Sequence, residues 1–298
     1  MSQFPSLPNS HLFADLDIGR THYQLEGPED GPILLLIHGA TVPCWEFDRL
    51  VPYLAEAGFR IIRADLLGHG YSDRPDVVYD IDLFREQLIQ LLMHLRVTST
   101  VHIVGHSMGA AVGGSLISHY PDRFGKLVLA APLVNFVENR PIVKLTKIDW
   151  FAKIFINCFA VPLLKIRRRR IYGPIDEGRF IEKFHTQFRL PGFERTLLSL
   201  FRDGALDDQT ALYNTLNEQD HDYLIIRGEL DDMVTEEQIF YLASLLQQAE
   251  VRDIAGTGHA FMLTDPHLVA PEIISFFEAE LIEGNSEELL APPQYAMM

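Results

Sequence analysis

Apolar residues in this chain fall into short unbroken runs separated by longer stretches with helical spacing. Residues 33–37, Ile-Leu-Leu-Leu-Ile, are wholly apolar, and 60–64, 101–104, 126–131, 223–227 and 251–255 form similar short strand-like runs. Continuous apolar runs of four to six residues are what a strand covered on both faces requires. Between them, residues 45–57, 82–95, 110–117, 236–248 and 266–281 carry apolar positions at helical spacing, and the third of these is stopped by Pro121. Ahead of the first buried run, residues 11–17 and 20–25, split at Gly19, read as an antiparallel pair. Strand and helix in strict alternation predict an α/β fold: a mostly parallel central sheet, helices on both faces, right-handed crossovers.

The alternation stops after residue 132 and resumes at 222. The chain therefore divides into a core, residues 1–132 and 222–298, and an inserted helical cap, residues 133–221. Within the cap, residues 150–164 are almost wholly apolar apart from Lys153 and Asn157, and Lys165-Ile166-Arg167-Arg168-Arg169-Arg170 follows. Residues 141–190 hold eleven Lys or Arg against four Asp or Glu, in a chain whose formal net charge is -16. The bland reading of this stretch is a cap helix packed on the body with a solvated basic turn. The sharper one is an apolar, basic-flanked surface that makes peripheral contact with lipid. It is too short and too interrupted to span a bilayer.

Composition narrows the class. A chain of 298 residues with 47% hydrophobic content can bury a large core. The acidic balance excludes nucleic acid as a partner, because phosphate binding needs a positive surface. No basic segment followed by an apolar run opens the chain, so a cytoplasmic protein is the expectation. Cys44 and Cys158, the only cysteines, are too few for a disulfide framework and lack metal-ligand spacing. No metal and no cofactor is expected.

The candidate chemistry centres on Gly105-His106-Ser107-Met108-Gly109, which joins the run at 101–104 to the small-residue helix after it. A serine on so tight a strand-to-helix turn has its hydroxyl held above the sheet, and glycines two residues to either side relieve the crowding. The N–H of Met108 then points to where an oxyanion would form. A serine hydroxyl needs a base, and the base needs a carboxylate to orient it. Two later strand ends offer them. The run at 223–227 leads into Gly228-Glu229-Leu230-Asp231, and the run at 251–255 into Gly256-Thr257-Gly258-His259. Both loops lie at the carboxyl edge of the sheet, where active sites of open α/β sheets gather.

The order Ser107, Asp231, His259, together with His38-Gly39-Ala40, Asp65-Leu66-Leu67-Gly68-His69-Gly70-Tyr71-Ser72 and Gly258-His259, resembles the α/β-hydrolases, in the branch that holds serine esterases, monoacylglycerol lipases and carbon–carbon bond hydrolases. The resemblance runs from about residue 12 to residue 283. It implies Ser107 as nucleophile, His259 as base, Asp231 as orienting acid, and a second oxyanion N–H from Ala40. It implies hydrolysis of a small carboxylic ester with an apolar acyl chain through an acyl-Ser107 intermediate; the alternative is a carbon–carbon hydrolase acting on vinylogous diketones. Haloalkane dehalogenases and epoxide hydrolases of this fold carry aspartate at the elbow, so Ser107 argues against both. A binding protein that keeps the fold but only holds a ligand is the rival from outside enzymology, and the intact motifs weigh against it.

Several neighbours compete for these roles. Asp232 stands beside Asp231, and the Gly228-x-x-Asp register favours Asp231. His38 and His106 are expected to pack or hydrogen-bond beside the site. His69 and Ser72 imitate a catalytic pair, yet no strand-turn-helix surrounds them, so they are expected to serve the loop. His94, His119, His185, His221 and His267 have no nameable partner in the sequence.

Overall fold

The computed structural model describes residues 11–138, 140–155, 158 and 177–282. Eight strands form one sheet: β1 (Leu12–Leu16), β2 (Gly19–Glu26), β3 (Ile33–Ile37), β4 (Arg60–Ala64), β5 (Val101–His106), β6 (Phe124–Ala130), β7 (Tyr223–Gly228) and β8 (Glu250–Ile254). Their spatial order is β1-β2-β4-β3-β5-β6-β7-β8. The pairs β1·β2 and β2·β4 are antiparallel, and from β4 to β8 every pair is parallel. The antiparallel start and parallel body follow the reading of the apolar runs.

The helices that follow the strands in the chain are α1 (Val51–Glu56), α2 (Ile81–His94) and α3 (Met108–His119). Those of the second half are α9 (Glu236–Leu245), α10 (Phe261–Thr264) and α11 (Pro266–Phe276). Between β6 and β7 the described residues form α4 (Pro141–Lys144), α5 (Asp149–Phe155), α6 (Glu177–Arg189), α7 (Phe193–Arg202) and α8 (Thr210–Asn217). The two faces of the sheet bury separate apolar layers. Leu35, Ile37, Ile103, Leu127 and Leu129 join Leu88 and Leu92 of α2 and Val112 and Leu116 of α3. Leu34, Leu36, Val104, Val128, Leu224 and Ile226 join Leu54 of α1 and Val269 and Ile273 of α11. Alternate residues of one strand thus feed opposite layers, which is why the runs are apolar without interruption.

Some expected helix bounds need correction, and α11 ends at Phe276, short of residue 281. The helix anticipated over 45–57 is broken into a 3₁₀ turn (Cys44–Phe47) and α1, whose first turn carries Pro52. Proline has no N–H and its ring clashes with the carbonyl four residues back, so a new helix starts there instead of the old one continuing. The break also turns Glu46 inward, with 3% of its surface exposed. The helix anticipated to Gln248 ends at Leu245, because Ala249 N–H closes a turn on Leu246 O that feeds β8. The basic turn Arg167–Arg170 and most of the apolar stretch before it lie outside the described residues.

Candidate active site

Ser107 stands between the last residue of β5 and the first of α3 with φ 53° and ψ −115°. A non-glycine residue in that region is strained by about 1–3 kcal/mol and persists only where its surroundings hold it. They do so here. Ser107 N–H donates to Ala130 O of β6 at 2.8 Å, and Ser107 O accepts from Leu133 N–H at 3.2 Å. The flanking glycines are required by contact. A Cβ on Gly105 would lie 2.3 Å from Gly109 O, and one on Gly109 would lie 2.1 Å from Ile37 O of β3. Met108 opens α3, so its N–H has no acceptor within the helix and faces outward from the helix start.

Asp231 and His259 meet although 28 residues separate them. His259 Nδ1 lies 2.8 Å from Asp231 Oδ2, while Asp231 Oδ1 accepts from Met233 N–H at 2.7 Å and Val234 N–H at 2.9 Å. Burial opposes ionisation of this carboxyl, yet the His259 imidazole and the two backbone N–H groups outweigh it and hold its pKa below the usual carboxylate range. An acceptor-only carboxylate on Nδ1 fixes that nitrogen as the protonated one, leaving Nε2 as the basic nitrogen. Of the two adjacent aspartates it is Asp231, buried, that reaches the imidazole.

The loop His38-Gly39-Ala40 runs beside the serine: a Cβ placed on Gly39 would lie 3.4 Å from Ser107 Cβ. Each of its peptides is held. His38 Nε2 accepts from Leu66 N–H at 2.9 Å, so its Nδ1 is protonated and donates to Gly39 O at 2.7 Å. The peptide is trans, and holding Gly39 O on one side turns the Ala40 N–H to the other. Ala40 O is in turn 2.9 Å from His69 Nε2. Gly39 N–H donates to Glu46 Oε2 at 3.2 Å.

Three buried histidines around this loop have their pKa values pushed in different directions for a simple reason. His38 sits between an acceptor and a donor, and burial lowers its pKa. His69 is pushed down to about 3, burial and the neighbouring His38 outweighing the two carbonyls it faces. His106 faces a carboxylate instead. Burial opposes its charge, but Glu46 Oε1 at 2.6 Å from Nδ1 and His259 O at 2.8 Å from Nε2 raise its pKa overall. His38, His69 and His106 thus act on backbone around the site, as their sequence positions led one to expect.

The second glycine-rich motif is structural. Ser72 Oγ donates to Asp65 O at 2.6 Å and accepts from His22 N–H at 2.9 Å. Asp65 accepts from Cys44 N–H, Tyr71 N–H and His22 Nδ1, tying three loops together. A Cβ at Gly70 would lie 1.9 Å from Asp65 Oδ2. This serine is buried with its hydroxyl engaged on both sides. Glu46 is the site residue that sequence reasoning missed: it sat inside an expected surface helix, and the available signal was a lone acid in the apolar setting Val42-Pro43-Cys44-Trp45-Glu46-Phe47.

α6 and α7 lie over the carboxyl edge. Phe184 of α6 is fully buried with Val42, Ala260 and Leu263, which flank Ala40 and His259 in sequence. Ser199 Oγ of α7 accepts from Tyr79 N–H at 2.9 Å, and a Cβ on Gly68 would strike Thr196 of the same helix at 2.4 Å.

A family profile described as alpha/beta hydrolase fold matches residues 32–266. Among curated relatives, a 2-(acetamidomethylene)succinate hydrolase of Mesorhizobium japonicum is 23% identical over 278 residues, covering 89% of this chain and 94% of its own. A bifunctional esterase/perhydrolase of Acinetobacter calcoaceticus is 25% identical over 278 residues, covering 86% of this chain and 95% of its own. The crystal structure of a haloalkane dehalogenase from Bradyrhizobium elkani superposes with a TM-score of 0.79 at 17% identity, covering 91% and 98% of the two chains, a likeness of fold. No helix of the described residues is long and apolar enough to cross a membrane. The profile match over most of the chain, on the sheet and elbow described above, makes this protein a member of the alpha/beta hydrolase fold family.

Proposed function

We propose that the protein hydrolyses carboxylic esters through an acyl-enzyme on Ser107, with His259 as general base and acid, Asp231 as its orienting carboxylate, and the N–H groups of Met108 and Ala40 as the oxyanion hole. The observation that carries this reading is a strained, glycine-flanked serine on the same sheet edge as a buried carboxylate–imidazole pair. In the first half-reaction, Ser107 Oγ attacks the ester carbonyl as His259 Nε2 takes its proton, and the tetrahedral oxyanion is met by the two N–H groups. Collapse expels the alcohol, protonated by His259, and water repeats the sequence to release the acid. No step needs a metal or cofactor.

The acyl chain favoured is apolar. Phe184 of α6 packs with Val42, Ala260 and Leu263, which flank Ala40 and His259 in sequence, so hydrocarbon lies beside the two loops that serve the serine. Segment 133–221 is then a cap over the acyl site. A p-nitrophenyl ester series of increasing chain length, run on purified protein with Ser107→Ala as control, tests the reading; activity rising with chain length and absent in the control supports it. The same three side chains would cleave a carbon–carbon bond in a vinylogous diketone, so such a substrate is run beside the esters. Turnover of the diketone alone replaces the ester reading.

We further propose that the cap meets lipid. Leu145, Ile148, Trp150 and Ile154 around α5 are all more than two-fifths exposed, Trp150 at 65%, while Ala152 on the same helix is fully buried. A short helix apolar on its inner and outer sides, in the basic segment of an acidic chain, suits an anionic interface.

A further inference from the structure

The Glu46 carboxylate is buried, lies outside the triad, and touches the oxyanion loop and the end of β5 at once. Its Oε2 accepts from Gly39 N–H at 3.2 Å, one peptide before the Ala40 N–H. Its Oε1 lies 2.6 Å from His106 Nδ1, both side chains being 3% exposed. His106 Nε2 then donates to the carbonyl of His259 at 2.8 Å, and the centroids of the two imidazole rings are 4.9 Å apart. Glu46 and His106 together therefore link the oxyanion loop, the residue before the serine and the backbone of the candidate base.

We propose that Glu46 is a positioning residue: through Gly39 on one side and His106 on the other it sets the spacing between the oxyanion N–H of Ala40 and the imidazole of His259. The inference rests on the reading of Ser107 and His259 given above. Stability alone does not account for the arrangement, because a buried ion pair seldom outperforms apolar side chains of the same volume. What the pair adds is a tie between two segments of the site. The carboxylate accepts from the Gly39 N–H with one oxygen and stands 2.6 Å from a ring nitrogen of His106 with the other, so a shift of the oxyanion loop or of the end of β5 disturbs both contacts, and displacement of about 1 Å in a reacting group costs as much as about 10²-fold in rate. Phe261, at 6.0 Å from the His106 ring, closes the apolar side of the pair.

The test uses Glu46→Gln, His106→Gln and the double variant. Affinity for phenylboronic acid, which forms a tetrahedral adduct on an active serine, is measured with the steady-state constants. Each single variant is expected to lower kcat about 10- to 100-fold, with KM within about threefold and boronate affinity reduced in parallel, since the interactions weakened are those made to the tetrahedral state. The double variant is expected to lose no more than the worse single, as members of one unit do. Folded variants with kcat and boronate affinity within about twofold of the wild type, or losses that multiply in the double, overturn the proposal. On the wild type, the low-field ring N–H proton of His106 is followed by NMR; it is expected to move when the boronate adduct forms, and a proton that stays in place counts against the linkage even where the variants do not fold. A wild-type protein that is not acylated at Ser107 and binds no boronate overturns the hydrolase reading, and this one with it.

Discussion

Oδ2 of Asp231 lies 2.8 Å from Nδ1 of His259, and the other oxygen of the same carboxylate is held by the N–H groups of Met233 and Val234. Both oxygens are thereby committed, and the carboxylate cannot rotate away from the imidazole. Asp231→Asn is expected to lower kcat by about 10⁴-fold, because the amide favours the wrong imidazole tautomer. Asp232→Asn is expected to cost less than about tenfold. Steady-state kinetics of both variants on one ester measure this, and equal losses would remove the assignment of Asp231.

Backbone contact at the elbow gives a prediction for folding. Gly109→Ala places a Cβ 2.1 Å from the carbonyl oxygen of Ile37, in the strand beside the serine. Neither backbone can yield without disturbing the sheet, so the substitution is expected to cost about 3 kcal/mol. Gly256→Ala, where a Cβ meets nothing within 4 Å, is strained only by its φ of +70° and is expected to cost about 1 kcal/mol. Thermal unfolding of the two variants should therefore rank them clearly.

The Glu46–His106 pair carries a pH signature. Burial lowers the pKa of His106, but Glu46 raises it by more, so the folded value stands above the unfolded one of about 6.5. Stability from this raised pKa is fully present below about pH 6.5 and is lost as pH rises through the folded value. The groups bearing on His106 are Glu46, Asp231, His38 and His259, and only Glu46 is removed in Glu46→Gln. The Tm difference between wild type and that variant is expected to shrink from about pH 6 to about pH 10. A difference independent of pH would mean that His106 is not held as imidazolium by Glu46.

At the cap, Trp150→Ala is expected to weaken sedimentation with phosphatidylglycerol vesicles at low salt. Binding of the wild type should fall steeply as salt rises, since attraction to an anionic surface is about 1 kcal/mol per basic residue and is screened within about 10 Å at 0.1 M salt. Wild-type protein that stays in the supernatant when such vesicles are pelleted at low salt would make the exposed side chains around α5 ordinary surface.

What was legible in the sequence follows from how local each constraint is. Ile33–Ile37 and Tyr223–Gly228 form interior strands whose side chains enter both buried layers, so their apolar runs announce them. The elbow was legible because Gly105 and Gly109 answer clashes within one turn and its neighbouring strand. Asp231 and His259 could be placed because strand ends deliver them to a common edge. Glu46 could not. Its partners, Gly39 after β3 and His106 at the end of β5, belong to other segments, and it occupies a 3₁₀ turn that ends before α1 begins, a break that the helical spacing over 45–57 concealed. His38 posed a similar difficulty: its tautomer is set by Leu66 N–H, a contact that exists only once β3 and β4 are paired.

The most direct measurement is covalent labelling. Purified protein is treated with a fluorophosphonate, and intact-mass and peptide analysis locate the adduct. One adduct per chain is expected, on the peptide carrying Ser107, with labelling abolished in Ser107→Ala and slowed by at least about 10³-fold when His259 is replaced by alanine. An adduct on Ser72 or Ser115, or no adduct on a protein that turns over esters, would contradict the account.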